Sequence, residues 1–312
     1  WQFLKADDRD FQSIAADPFT PGQVFNSDRA KICRSDNGGE TWLESECVDL
    51  PVPSAYDACP HYVEVLRAHP EREGVYLAGL RHWCDDDFVT GPGSIYYTTD
   101  GGEHWYLADT PPDITAVRDL AFDSVDPDIA YATTTTGFYR SENTGETWTH
   151  VEDGPSGVGS FIAVEPAREP GQEQHLVVLD GESHAILVSS DQGLNWEPVS
   201  FLDPHEDLGN FIFAPTDPPV LYSGTSTGLR RSNDYGETWS RASGELGDVN
   251  IFSLAVVKEE DRVILYAATP GGYTESTDQE MMTTAGLSTR DASKLVNPGV
   301  YRFTQMPPKN FY

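Results

Sequence analysis

Residues 141–148 read SENTGETW, and four other segments repeat this pattern of Ser or Thr, Asp or Asn, Gly and Trp. The four segments are SDNGGETW (35–42), TTDGGEHW (98–105), SSDQGLNW (189–196) and SNDYGETW (232–239). Successive tryptophans lie 63, 43, 48 and 43 residues apart. Self-similarity of this kind indicates a fold built from repeated units. We call each eight-residue segment a box turn.

The residue types of the box turn predict a self-contained turn between two strands. A short Asp or Asn side chain accepts hydrogen bonds from nearby backbone N–H groups and closes an Asx-type loop. The glycine two positions later takes up a backbone with positive φ. The tryptophan then carries a large apolar ring between neighbouring sheets. The box turn is therefore predicted to be a folding device rather than a catalytic or metal-binding motif.

Short β-rich runs surround each box turn, and together they give four strands per unit. Four-stranded units at this spacing are typical of propeller blades. The fold class is predicted to be all-β: one domain, a six-bladed β-propeller of four-stranded antiparallel blades. Residues 1–6 (WQFLKA) resemble the segments after the box turns, so we expect them to complete the sixth blade and close the ring; a fragment of a larger ring is the rival expectation. The predicted blades span approximately residues 7–48, 60–110, 115–153, 158–202, 208–243 and 249–306 plus 1–6.

Charge and hydropathy argue against two partners, nucleic acid and the membrane. The 312 residues include 51 acidic and 20 basic ones, giving a formal net charge of −31. Such a surface repels nucleic-acid phosphates and anionic lipid headgroups. No apolar run approaches the roughly 18 residues of a membrane-spanning helix, so neither nucleic acid nor membrane insertion is expected. A solvated acidic surface is favoured over a cation-holding one, and we expect a monomer.

Four cysteines lie in the first third of the chain: Cys33, Cys47, Cys59 and Cys84. An even, clustered number predicts two disulfides and an oxidising compartment. Zinc sites need tight pairs such as C-x-x-C, whereas the spacings here are 14, 12 and 25. Blade topology favours Cys33–Cys47 and Cys59–Cys84, because other pairings would cross between faces. An extracellular or periplasmic location follows, with any signal peptide removed or absent.

The five box turns resemble the Asp boxes of BNR-repeat propellers, which include sialidases, xyloglucanase-type glycoside hydrolases, sortilin-type receptors and photosystem II assembly-factor propellers. The resemblance covers nearly the whole chain and implies the propeller fold, but the function stays open because these families do unrelated things. A sialidase would carry an Arg-Ile-Pro motif in its first blade. The nearest segment here is Arg9-Asp10-Phe11, so a typical sialidase is not expected.

Three long insertions, residues 44–60, 81–93 and 270–298, are predicted to gather over one sector of the face opposite the box turns. Long loops on a rigid scaffold commonly carry function. Polar residues near the central channel either bind the ligand or hydrogen-bond channel water. The predicted binding residues are His61, Tyr62, Arg81, Trp83 and Tyr273 in this sector, and Arg9, Arg118, Asn210 and Asn250 near the channel.

The acidic residues and the histidine of this sector have both a functional and a structural interpretation. Asp85, Asp86 and Asp87 could hold Ca²⁺ through their oxygens, although a solvated acidic loop is the favoured alternative. His82 could act as a general base, or it could pack the loop together with its neighbour. A glycosidase needs two carboxyl groups about 5–9.5 Å apart. The further candidate carboxylates are Asp10, Glu64 and Asp119.

Two functional hypotheses result. The first is an exported binding propeller that engages a protein or a glycan through its loop-bearing face. The second is a glycan-active enzyme, a glycoside hydrolase or lyase. No cofactor besides the Ca²⁺ considered above is expected, because no P-loop or dinucleotide fingerprint is present. Residues 224–228 (GTSTG) match a hydrolase motif, but they are predicted to form a hairpin rather than a strand-to-helix turn.

Overall fold

A computed structural model describes residues 13–54, 59–82, 92–157, 161–167, 173–201, 208–242, 249–251, 253–259, 262–268 and 300–305. These residues form six antiparallel sheets, in each of which the strands follow one another in chain order. Five sheets have four described strands and the last has three. We number the sheets as blades 1 to 6 along the chain.

The strands of each blade are short, and their bounds are as follows. Blade 1 has β1 (Ile14–Ala16), β2 (Val24–Asp28), β3 (Lys31–Ser35) and β4 (Cys47–Asp49), with a 3₁₀ helix (Glu44–Glu46) before β4. Blade 2 has β5 (His61–Ala68), β6 (Tyr76–His82), β7 (Gly93–Thr98) and β8 (Tyr106–Leu107). Blade 3 has β9 (Val117–Phe122), β10 (Ala130–Thr134), β11 (Phe138–Ser141) and β12 (Thr149–Val151).

The second half of the chain repeats the arrangement. Blade 4 has β13 (Ile162–Val164), β14 (Leu176–Leu179), β15 (Ala185–Ser189) and β16 (Glu197–Phe201). Blade 5 has β17 (Leu208–Ala214), β18 (Val220–Thr225), β19 (Gly228–Ser232) and β20 (Ser240–Arg241). Blade 6 has β21 (Ser253–Glu259), β22 (Arg262–Ala268) and β23 (Val300–Gln305).

The first strands of successive blades lie against one another. Contacts join β1 to β5, β5 to β9, β9 to β13, β13 to β17 and β17 to β21. Sheets that meet through their first strands in chain order form the radial arrangement of a propeller. The predicted all-β propeller is thereby confirmed. The expected fourth strand of blade 6, residues 1–6, lies outside the described residues, so ring closure and the blade limits stay predictions.

The hydrophobic core lies between neighbouring blades, and the box-turn tryptophans are part of it. Trp105 of blade 2 packs in one cluster with Phe25 and Ile32 of blade 1. Trp148 of blade 3 packs in another with Leu77 of blade 2. These two indoles therefore bury their apolar surface against the preceding blade, and this burial holds blades 1, 2 and 3 together.

Hydrogen bonds within the box turn close it locally. In blade 3, Ser141 Oγ accepts from the backbone N–H groups of Asn143 (3.3 Å) and Gly145 (2.9 Å). Asn143 Oδ1 in turn accepts from the backbone N–H of Thr147 at 2.9 Å. Gly145 has φ of 90°, and a Cβ there would lie 2.4 Å from Leu77 Cδ2 of blade 2. Glycine is therefore needed both for the turn and for the close approach of two blades.

Replacing Ser141 by alanine should lower the free energy of unfolding by about 1–2 kcal/mol. The loss arises because two backbone N–H groups in a buried turn would lack their acceptor. Urea unfolding measures this change. Thr147→Ala is the matched control: its side chain is exposed at the same turn and the backbone N–H is retained, so we expect a change within about 0.5 kcal/mol. Equal effects of the two substitutions would contradict the role given to the serine.

A disulfide joins Cys33 on β3 to Cys47 on β4, with the sulfur atoms 2.02 Å apart. The two residues are direct partners in the strand pairing, and the first box turn lies between them. The predicted Cys33–Cys47 pair is confirmed. Cys59 is also disulfide-bonded, and its predicted partner Cys84 lies outside the described residues. Within the described part of the chain, no helix has the length and apolar character needed to cross a membrane.

Candidate functional site

Three of the innermost strands contain an extra residue close to their beginning. The extra residue is Glu64 in β5 and Arg118 in β9, while in β17 the irregularity falls at Gly209 and Asn210. A β-bulge bends its strand and turns a side chain away from the regular alternation. Three residues that the sequence singled out therefore lie at bulges at corresponding ends of their blades.

Glu64 lies between two arginines from different strands. Arg81 Nη2 on β6 is 2.7 Å from Glu64 Oε1, and Arg118 Nη1 on β9 is 3.9 Å from Glu64 Oε2. All three side chains are about one-fifth exposed. We call these three residues the arginine cluster. It carries one net positive charge in a chain whose formal charge is −31.

Burial lowers the pKa of Arg118, the neighbouring Glu64 raises it, and the charge of Arg81 lowers it. An arginine remains protonated at neutral pH in spite of such a shift. The Nε atom of Arg118 is buried and has no hydrogen-bond acceptor among the described residues. Two desolvated guanidinium groups close to one carboxylate form a setting that favours an added anionic or hydroxyl-rich group.

A pair of histidines lies beside this cluster, where β5 begins and β6 ends. His61 Nδ1 and His82 Nδ1 are 3.0 Å apart, and His82 Nε2 is 2.7 Å from Ser94 Oγ on β7. The His82 side chain is fully buried. Burial lowers the pKa of His82 to about 4, and the neighbouring His61 lowers it as well. This geometry supports the structural interpretation of His82, at the base of the insertion, and its role as a general base stays a prediction.

Asp119 connects three blades through both oxygens of its carboxylate. Oδ1 accepts hydrogen bonds from the Leu120 backbone N–H at 2.9 Å and from Arg67 Nη2 of blade 2. Oδ2 accepts from the backbone N–H of Ile162 in blade 4 at 3.1 Å. The side chain is buried. This arrangement favours a structural role for Asp119, and the catalytic role named from the sequence stays a prediction.

The remaining candidates are distributed around these groups. Tyr62 is the strand partner of Arg81 and is partly exposed. Asn210 Oδ1 is buried without a hydrogen-bond donor among the described residues, and Asn250 is exposed. Sequence reasoning missed Arg67 and Ser94, although a polar residue inside an apolar strand was an available signal. The candidates that lie outside the described residues are Arg9, Asp10, Trp83, Asp85, Asp86, Asp87 and Tyr273.

Acid should destabilise the protein through His82. The pKa of His82 in the folded protein, about 4, lies below its ordinary value of 6.5. Between these values the unfolded chain binds more protons, so the stability provided by neutral His82 is lost as pH falls from about 6.5 to 4. The slope is about 1.4 kcal/mol per pH unit and the total about 3 kcal/mol.

Urea unfolding between pH 4 and pH 8 tests this expectation. The His82→Gln variant should show a flatter decline toward acid, while His69, whose pKa burial also lowers, still contributes. His184→Asn is the matched control, because His184 is exposed and its φ of 57° suits asparagine. The assignment fails if the His82→Gln curve keeps the full slope of the unchanged protein.

The sheets and their order define the class of protein as a β-propeller. No protein-family model matches the chain. In sequence it is similar to the xyloglucanase Xgh74A of Acetivibrio thermocellus, with 31% identity over 273 residues to one sequence of that enzyme and 25% over 272 residues to another. Each match covers 74% of this chain and 32% of the relative. The chain thus spans about a third of the length of the curated relatives it matches.

Solved structures show the same fold. An ancestral GH74 enzyme has a TM-score of 0.59 at 16% identity, covering 83% of this chain and 39% of that one. The GH74 xyloglucanase from Xanthomonas campestris has a TM-score of 0.57 at 17% identity, covering 83% and 45%. YCF48 bound to D1 peptide has a TM-score of 0.53 at 16% identity, covering 83% and 76%. The predicted relation to propellers of these kinds is confirmed at the level of fold.

Proposed function

We propose that this chain is an exported propeller that binds a protein or a glycan at the arginine cluster. The observation that carries the proposal is the position of Glu64 between Arg81 and Arg118, at two bulges beside the insertion of blade 2. Planar guanidinium groups donate paired hydrogen bonds to carboxylates and to neighbouring hydroxyls. The disulfides support export, because they persist in oxidising compartments.

Binding is favoured over catalysis by the carboxylates of the site. A glycosidase requires two carboxyl groups about 5–9.5 Å apart across a pocket. In the described part of the cluster, Glu64 is the single carboxylate, and Arg81 holds it in an ion pair. The nearby Asp119 is fully engaged by protein donors. A set of donors around one carboxylate suits recognition of a ligand.

The ligand class is supported by proteins of related fold or sequence. YCF48 was solved with a D1 peptide, and the relatives that match in sequence are xyloglucanases. Both an extended peptide and an oligosaccharide can cross the mouth of a propeller channel and meet residues of several blades. We therefore propose that the ligand of this chain is a protein or a carbohydrate. Xyloglucan oligosaccharides are the first glycans to test.

A second candidate function is a glycan-active enzyme. It is favoured by the sequence similarity to a xyloglucanase, which extends over 74% of this chain. An enzyme of this kind would use Glu64 with a second carboxylate supplied from outside the described residues, such as Asp10 or Asp85. Neutralising Glu64 would then remove turnover while leaving much of the ligand affinity.

Calorimetric titration with xyloglucan oligosaccharides and with an acidic peptide tests the binding proposal. Arg118→Ala should weaken the binding of whichever ligand is recognised about tenfold or more, because a hydrogen bond from a charged donor contributes about 1.5–3 kcal/mol. The matched control is Arg72→Ala, which removes the same charge at the other end of blade 2, where Arg72 pairs with Asp128.

The outcomes separate the two functions. Loss of affinity in Arg118→Ala, with Arg72→Ala unchanged and no sugar released, supports a binding propeller. Release of reducing sugar from xyloglucan that disappears in Glu64→Gln would make the enzyme the better assignment. Binding of neither ligand class, or equal affinities in the two arginine variants, would overturn the proposed site.

A further inference from the structure

A cavity of about 240 Å³ opens between blades 1 and 2, next to the box turn of blade 2. The box turn follows the end of β7, whereas the arginine cluster lies near the beginning of β5 and the end of β6, so the two sites are at opposite ends of blade 2. The cavity has an apolar floor and a charged rim. The floor consists of Phe25, Ile32 and Val48, and the rim includes Arg34, Glu46 and Glu103.

Carboxylates dominate the charge around this cavity. Arg34 Nη2 is 3.0 Å from Glu46 Oε2, and Arg34 Nε is 3.3 Å from Asp36 Oδ1. The two carboxylates outnumber the single positive charge of Arg34, which leaves one net negative charge. Glu103 adds a further exposed carboxylate at the rim. Burial opposes ionisation of the neighbouring Asp100, but hydrogen bonds from His104 and Thr98 outweigh it and lower the pKa of Asp100. The opening is therefore negatively charged at neutral pH.

The box turn beside this cavity differs from the three that follow it. In blades 3 to 5, the indole N–H of the box-turn tryptophan donates to the carbonyl of the glycine three residues earlier: Trp148 to Gly145, Trp196 to Gly193 and Trp239 to Gly236. In blade 2, Trp105 Nε1 is buried without an acceptor among the described residues. It lies beside Gly102, since a Cβ built on that glycine would be 3.7 Å from Nε1 and 2.9 Å from Phe25 Cε1.

We propose that this cavity receives a lysine side chain of a basic partner polypeptide. The methylene stem would lie across Phe25, Ile32 and Val48, while the ammonium group would meet the carboxylates of the rim. The formal charge of −31 attracts basic partners from a distance. A divalent cation fits this cavity less well than a lysine, because such an ion needs several oxygen ligands and the apolar floor supplies none. The inference concerns a different surface from the proposed ligand site and is independent of it.

Nuclear magnetic resonance of the indole N–H groups tests the proposal. The Trp105 signal is assigned as the one that the Trp105→Phe variant lacks. The probe is the capped peptide Gly-Gly-Lys-Gly-Gly, and its partner probe carries norleucine, an uncharged side chain, in place of lysine. We expect the lysine peptide to shift the Trp105 signal saturably and the norleucine peptide to bind at least about threefold more weakly.

Three variants localise the binding. Glu103→Gln should weaken it about threefold, and Val48→Phe, which fills the cavity, should weaken it tenfold or more. Glu237→Gln changes the equivalent position of the blade 5 box turn and should leave the affinity unchanged, with thermal unfolding checking that every variant is folded. Equal binding of the two peptides, no shift of the Trp105 signal, or a Ca²⁺ titration that reproduces the shift at lower concentration would overturn the proposal.

Discussion

Asparagine in place of Asp119 is expected to lower the free energy of unfolding by about 3 kcal/mol. The substitution keeps the shape of the side chain but removes the charge that Arg67 meets and replaces one acceptor oxygen by an N–H₂ group. Whichever way the amide is turned, one set of donors loses its acceptor: either the buried backbone N–H of Ile162, or the buried backbone N–H of Leu120 together with Arg67 Nη2. One substitution thus weakens the junction of three blades.

A double-mutant cycle measures the coupling energy between Asp119 and Arg67. Urea unfolding of Asp119→Asn, Arg67→Ala and the double variant should show a coupling of about 1 kcal/mol or more, because the two side chains form one ion pair. Asp113→Asn is the matched control, since Asp113 is exposed in the loop that leads to the same strand. Additive losses would show that the pair is not coupled and would reopen a functional role for Asp119.

The repeated box turns made the blades predictable because their chemistry is local. The side-chain hydrogen bonds that close the turn of blade 3 join residues at most four apart, so the eight-residue segment itself contains the groups that make them. The position before the glycine that all five box turns share also has positive φ, 61° at Thr144 and 55° at Tyr235, which sequence reasoning missed. A signal was present, because glycine occupies that position in the first two box turns, as Gly38 and Gly101.

The same locality explains which disulfide could be assigned. Cys33 and Cys47 lie on the two strands that flank one box turn, and such strands are neighbours in any meander. The candidate site depended on less local information. Glu64 and Arg118 were nominated as polar residues near inner strands, but the one-residue bulges that place them are set by packing against the next strand. The role of Asp119 was hidden for a similar reason, because Arg67 and Ile162 are distant in the chain.

Alanine in place of Gly93 is expected to destabilise the protein by about 3 kcal/mol or more. Gly93 begins β7 at the junction with blade 3, where its backbone N–H donates to the Ile114 carbonyl at 3.1 Å. A Cβ on this residue would lie 2.0 Å from the Thr115 carbonyl oxygen and 2.7 Å from the carbonyl carbon. Because both are backbone atoms, no side-chain rotation relieves the clash, and blades 2 and 3 must move apart.

Gly101→Ala separates this steric effect from the cost of an unusual backbone. Gly101 lies in the box turn that follows the other end of the same strand, has φ of 76°, and leaves open space around an added Cβ. Its substitution should therefore cost about 1–2 kcal/mol through the left-handed conformation alone. Denaturant unfolding measures the loss of stability in each variant. Gly93→Ala has the clash but no positive φ, and Gly101→Ala has the positive φ but no clash. A smaller loss for Gly93→Ala than for Gly101→Ala would show that the two blades do not approach so closely.

The Gly93 substitution should also affect the proposed ligand site. Gly93 is the direct strand partner of Arg81, and the neighbouring Pro92 carbonyl accepts the backbone N–H of His82 at 2.9 Å. Displacing this end of β7 would move Arg81 relative to Glu64 and to Arg118 of blade 3. We therefore expect Gly93→Ala to weaken ligand binding under conditions where it remains folded, whereas Gly101→Ala should leave the affinity unchanged. Undiminished affinity in folded Gly93→Ala would mean that the ligand does not depend on the geometry of the arginine cluster.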